Sequence, residues 1–155
     1  MVQAANQARP RPAAPARAPE SRLIIAVVFT GVQSTLVALR RAGELAAGLG
    51  AAIRVFDAHV VPYPLPLSEP DIHESHLVRQ VRTVADTRPL DTTCEVILCR
   101  DPVDGLRAVL PACALVLLGG PRRWWPTRQM RLARALRRAG HEVLFLDCPR
   151  EKQHA

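Results

Sequence analysis

Aromatic residues are scarce in this chain: two Trp, one Tyr and three Phe make up 4% of 155 residues. A core must therefore be built from Ala, Leu and Val, and the 48% apolar content suits helices layered on a sheet. Long apolar runs are missing too. The longest, LIIAVVF from Leu23 to Phe29, falls far short of the ~20 residues that span a bilayer. The Arg- and Pro-studded start lacks the apolar centre of a signal peptide. The expectation is a soluble, cytoplasmic protein without membrane association. Cys94, Cys99, Cys113 and Cys148 form no CxxC pair, so reduced thiols packed in the core are expected rather than disulfides or zinc. No nucleophile turn of the G-x-S-x-G kind occurs, and there is no helix-turn-helix or RNP-type motif.

Acid is absent from residues 119–138, where Arg122, Arg123, Arg128, Arg131, Arg134, Arg137 and Arg138 stand. That stretch alone accounts for the net charge of +7. So cationic a face attracts nucleotide, nucleic acid or an acidic partner, and the plainer reading is a solvated helix surface.

The length allows one domain. Residues 1–21 are Ala/Pro/Arg-rich with no hydrophobic period and are expected to be a disordered tail. Residues 22–148 form the α/β domain, and residues 149–155 a short C-terminal tail. The run from Leu23 reads as a strand buried on both faces. After Thr30-Gly31, the residues Leu36, Leu39, Gly43, Ala46 and Leu49 recur at helical spacing, with Gly50 at the C-cap. Residues Ala52 to Val61 give a second strand, followed by a Pro-rich segment. Ser68 and Asp71 open a second helix carrying Leu77, Val81, Val84 and Ala85 on one face.

Thr93 to Cys99 is a third strand, and Asp101-Pro102 starts a short helix with Pro at its first position. A fourth strand (ALVLL) leads to a Gly119-Gly120 turn, then to an Arg-rich helix from about Thr127 to Ala139, and EVLFL is the fifth strand. This alternation predicts a single doubly wound five-stranded parallel sheet with helices on both faces. Ligands of such sheets sit outside the carboxyl ends of the strands. Phe29-Thr30-Gly31, His59-Val60-Val61 and Gly119-Gly120 are the candidate turns.

Catalysis and metal binding find little support. His73 and His76 of DIHESH share a helix face with no third ligand at an obvious spacing, and Asp71 and Glu74 fit the start of a helix. Ser34 belongs to a helix start, His59 to a strand end, and Cys99 to a strand. The expectation is no catalytic residue, no metal and no enzyme.

The segments LIIAVVFTGVQSTLVALRRAGELA, RVFDAHVVPYPLP, CRDPVDGLRAVL, ACALVLLGG and GHEVLFLD, in this order and spacing, resemble the universal stress protein family. The likeness runs from Leu23 to Asp147. It implies an adenine nucleotide alpha hydrolase-like α/β fold and a stress-response or regulatory role. It also implies a homodimer paired through the last strand, at Val143, Leu144, Phe145 and Leu146. ATP-binding members use an Asp after strand one, main-chain groups at a His-Val position, and a G-x2-G-x9-G-[ST] phosphate loop. Here Thr30 stands at the Asp position, and Val60 at the adenine-holding one. Gly119 matches the first glycine of the loop, but Arg122 replaces the second, and the closing Gly-Ser falls on Leu132-Ala133 or Gln129-Met130.

The resemblance thus implies a degenerate nucleotide site and no bound cofactor. Trp124 and Trp125 would plug the cleft under a cover stiffened by Pro121 and Pro126. The alternative is an ATP or AMP site, with Mg, that uses Thr30, Gly31, Val60, Gly119, Gly120, Arg122 and Arg123, with a Trp stacking on the base. A further alternative is an interaction module that docks nucleic acid or an acidic protein on Arg131, Arg134, Arg137 and Arg138, with Leu132, Ala133 and Leu136 facing the sheet.

Overall fold

The computed structural model describes residues 23–67, 79 and 92–148. Both expected tails, the DIHESH stretch and all of the predicted second helix except Arg79 lie outside the described residues. Five parallel strands form one sheet: β1 (Ile24–Val28), β2 (Ala52–Val60), β3 (Thr92–Cys99), β4 (Leu115–Gly120) and β5 (Glu142–Asp147). Their order is β3-β2-β1-β4-β5. The sheet grows from β1 in one direction through β2 and β3, then in the other through β4 and β5. The switch point therefore falls between the carboxyl ends of β1 and β4.

Side-chain alternation along the strands divides the core in two. On one face Ile25, Val27, Ile53, Val55 and Leu117 pack under Ala38, Leu39, Ala42 and Ala46 of α1 (Val32–Leu49). On the other, Ala26, Val28, Phe56, Val116 and Leu118 meet Leu106 of α2 (Pro102–Val109) and Ala133 and Leu136 of α3 (Arg128–Arg138). Helices cover both faces, as expected, which is why β1 reads as an unbroken apolar run. The scarcity of aromatics is consistent with small Ala residues letting α1 approach the sheet closely.

The helix ends follow local chemistry. Asp101 accepts hydrogen bonds from the N–H groups of Val103 and Asp104 at 2.9 and 3.1 Å, with Pro102 at the first position as predicted. Thr127 Oγ1 caps α3 by accepting from Met130 N–H at 3.2 Å. Gly50 ends α1 in the left-handed region at φ 63°. Leu49, expected on the inner face, is exposed, because the buried stripe of α1 ends at Ala46.

Two further expectations are corrected. Gly119-Gly120 is not a turn after β4 but its last two residues, paired with Leu146 and Asp147 of β5. The cysteines form no disulfide and Cys99 and Cys148 are buried, but Cys113 is exposed in a turn with φ 52° and is no core residue.

Candidate functional site

The switch point opens into a cleft of about 400 Å³. Its floor comes from Thr30 and Gly31 after β1 and from the first turn of α1, with Gln33 and Ser34 lining it. Across from these stand Arg123, Thr127 and Gln129, on the segment between β4 and α3 and on the first turn of α3. Gly31 enters α1 at φ 134°, a conformation open to glycine, and no side chain caps the helix. The first-turn N–H groups of α1 have no intrahelical partner. No acid stands in that turn, so the N-terminus offers the cleft the positive end of an 18-residue helix.

Thr30 has a structural task. Its Oγ1 donates to Gly119 O at 2.6 Å and ties β1 to β4 across the switch point, while its N–H donates to Thr35 Oγ1 at 3.2 Å. A carboxylate at this position has no proton to give the Gly119 carbonyl, which accounts for Thr where the resembling family carries Asp. Gly119 is needed for a different reason from phosphate binding. A Cβ there would lie 2.5 Å from Ser34 O and 3.0 Å from Cys148 Sγ. At Gly120 a Cβ would lie 2.9 Å from Gln129 Cβ. The pair lets the first turns of α1 and α3 close on β4.

The backbone amide that would begin a phosphate cradle is already taken: Arg122 N–H donates to Asp147 Oδ1 at 2.9 Å. The arginines divide. Arg123 lines both the cleft and a second cavity beside β5, whereas Arg122, Arg134 and Arg137 line only the second. Arg131 and Arg138 are exposed on α3 outside both. Val60 ends β2 and is not part of the cleft lining; the pairing of β1 with β2 stops near Phe29, which donates to Phe56 O at 2.8 Å.

The expected Trp plug is absent. Trp124 is 87% and Trp125 70% exposed, their rings edge-to-face at 5.2 Å. Neither indole lines the cleft.

Sequence reasoning missed three residues around this site. Arg100 clamps the loop after β2, donating to Val61 O at 2.8 Å and Leu65 O at 2.6 Å with its guanidinium over Tyr63. Asp147 was read only as the end of the last strand. Asp57 of β2 is 8% exposed, its Oδ2 has no hydrogen-bond partner among the described residues, and burial pushes its carboxyl above the usual value, with His59 pulling it partly back. No signal in the sequence marks Asp57 beyond an acid inside an apolar strand. Among the described residues no cluster of His, Cys, Asp or Glu is built to hold a metal, and no helix is long and apolar enough to cross a membrane.

A five-stranded parallel sheet with helices on both faces and an open switch-point cleft at an uncapped helix end defines the class: a doubly wound α/β protein. No family model matches the sequence, nor does any curated protein. Solved structures do match. A universal stress protein in complex with cAMP superposes at a TM-score of 0.50 with 22% identity, over 80% of this chain and 95% of that one. The universal stress protein from Archaeoglobus fulgidus does so at 0.53 with 16% identity, over 81% and 93%. The chain has the fold of the universal stress proteins.

Proposed function

We propose that the chain is a non-catalytic regulatory protein of universal-stress-protein type whose cleft takes an adenine nucleotide with a single phosphate, such as AMP or cyclic AMP, in preference to MgATP. The observation that carries this reading is the uncapped N-terminus of α1, facing an open cleft that Arg123 also lines. One guanidinium and one helix end match one phosphate. A triphosphate needs a longer cradle, and here the Arg122 amide is held by Asp147. The similar structure with cAMP bound agrees with a ligand of this size.

Thermal unfolding with millimolar AMP, cyclic AMP and ATP, each with and without Mg²⁺, tests the reading. The monophosphates are expected to raise Tm saturably, by an amount corresponding to about 2.7 kcal/mol at a hundred times the dissociation constant. ATP should raise it less, with no gain from Mg²⁺. A larger, Mg²⁺-dependent shift with ATP, or no shift with any nucleotide, would remove this proposal.

We also propose a homodimer paired through β5. Glu142 N–H donates to Ala114 O and Cys148 N–H to Gly120 O, so the even-numbered residues of β5 point their main chain at β4. Those of Val143, Phe145 and Asp147 then point to the open edge of the sheet. Arg137 covers part of it by donating to Val143 O at 3.0 Å and must swing aside on pairing. Sedimentation equilibrium at micromolar concentration is expected to give a dimer; a monomer throughout that range would exclude the pairing.

A further inference from the structure

The second cavity, about 350 Å³, lies between α3 and β5. Its rim carries four guanidinium-bearing residues, Arg122, Arg123, Arg134 and Arg137, and its floor has Phe145 and Met130. None of the four is in an ion pair with a described residue. The nearby carboxylate of Asp147 is engaged with a main-chain N–H. One of the four guanidinium groups is held in place, that of Arg137 through Val143 O, and the main chain of Arg122 is fixed through its amide.

We propose that this cavity is a binding site for a small ligand carrying two or more phosphate groups, adjoining the nucleotide cleft at the shared Arg123. Like charges gathered around one concavity repel each other and raise its positive potential, and a multiply charged anion relieves both effects. Guanidinium forks match phosphate oxygens in pairs, so four of them exceed what one phosphate uses and suit two or three. The volume falls in the range of small-molecule sites, and the apolar floor excludes water beneath the anion. Helical spacing explains the assembly: Met130, Arg134 and Arg137 share a face of α3, while Ala133 and Leu136 anchor the helix to the sheet.

Inorganic triphosphate, titrated calorimetrically into the full chain at about 0.1 M salt, is the probe. Saturable one-to-one binding is expected, with orthophosphate at least about tenfold weaker because it meets half the donors. Arg134→Gln should weaken triphosphate about tenfold. Arg131→Gln, which removes the same charge from the same helix outside the cavity, should leave it within about twofold. AMP binding at the cleft should be unchanged in both variants, so failure of this site and failure of the cleft are read separately. Fructose 1,6-bisphosphate provides the organic arm; competition with triphosphate, stronger or weaker, assigns the source of the phosphates. Equal losses in Arg134→Gln and Arg131→Gln would overturn the proposal in favour of diffuse charge. So would orthophosphate binding as tightly as triphosphate, or a single-stranded DNA oligomer binding where triphosphate does not.

Discussion

Gly119→Ala is expected to destabilise the protein by about 3 kcal/mol, the upper part of the range for overpacking a dense core, and to lower Tm on the order of 10 °C. The added methyl would lie 2.5 Å from Ser34 O and 3.1 Å from Ser34 C. Both are main-chain atoms of the first turn of α1, so relief requires moving the helix or the end of β4. Either movement disturbs the 2.6 Å bond from Thr30 to Gly119 O, and nucleotide affinity should fall with stability. Gly48→Ala is the control. It lies in α1 with nothing within 4 Å of the added Cβ, and a better helix former there should raise stability by about 0.5–1 kcal/mol. Thermal unfolding of the two variants beside the wild type decides the matter. A Gly119→Ala protein melting within about 2 °C of wild type would mean that α1 is not seated on β4 as described.

The same glycine shows where the sequence could and could not be read. The strands were legible because burial on both faces leaves continuous apolar runs, and β1 to β5 fall within a residue or two of the expected ranges. The end of β4 was not. A Gly-Gly pair is ordinarily a turn signal, but here the missing side chains serve helix packing, which depends on α1 being in place. The Trp pair misled in the opposite direction: hydrophobicity argued for cover, whereas both indoles are exposed. Thr30 lines the cleft, but its hydroxyl bonds a residue 89 positions away. Asp147 reaches back 25 positions to the Arg122 amide. Local pattern carries no information about either partner. The basic face was legible as helical spacing, but its division between the cleft, the second cavity and open solvent arises only once β5 is set beside β4.

That division changes what the Arg-rich stretch means chemically. An evenly solvated face would bind polyanions weakly and without shape. Here the chain separates Arg123, which serves both cavities, from Arg134 and Arg137, which serve only the outer one. The two sites therefore share a single guanidinium, and the segment from Pro121 to Thr127 is the structural link between them. Occupation of one should be felt at the other through Arg123, whose one side chain can complete one phosphate shell at a time.

Asp57→Asn is expected to stabilise the protein by about 1–3 kcal/mol at pH 8, the range for an unsatisfied buried polar group, with charge placing it toward the top. Asp57 is nearly buried and its Oδ2 has no hydrogen-bond partner among the described residues. Burial raises its carboxyl above the ordinary 3.8, and His59, further along the same strand, opposes the shift only in part. The folded state therefore holds the proton more tightly than the unfolded state does. The resulting stabilisation is fully present below 3.8 and is lost as pH rises through the raised value. Above that, wild-type Asp57 is charged in a place that disfavours charge, and the amide removes the penalty while keeping the shape. Thermal unfolding of both proteins at pH 8 and at stepwise lower pH gives the sign. The advantage of the variant should be larger at pH 8 and shrink as pH falls toward 3.8. A variant less stable than wild type at pH 8 would show that the carboxylate is satisfied when charged, which places a cationic partner on that face of β2.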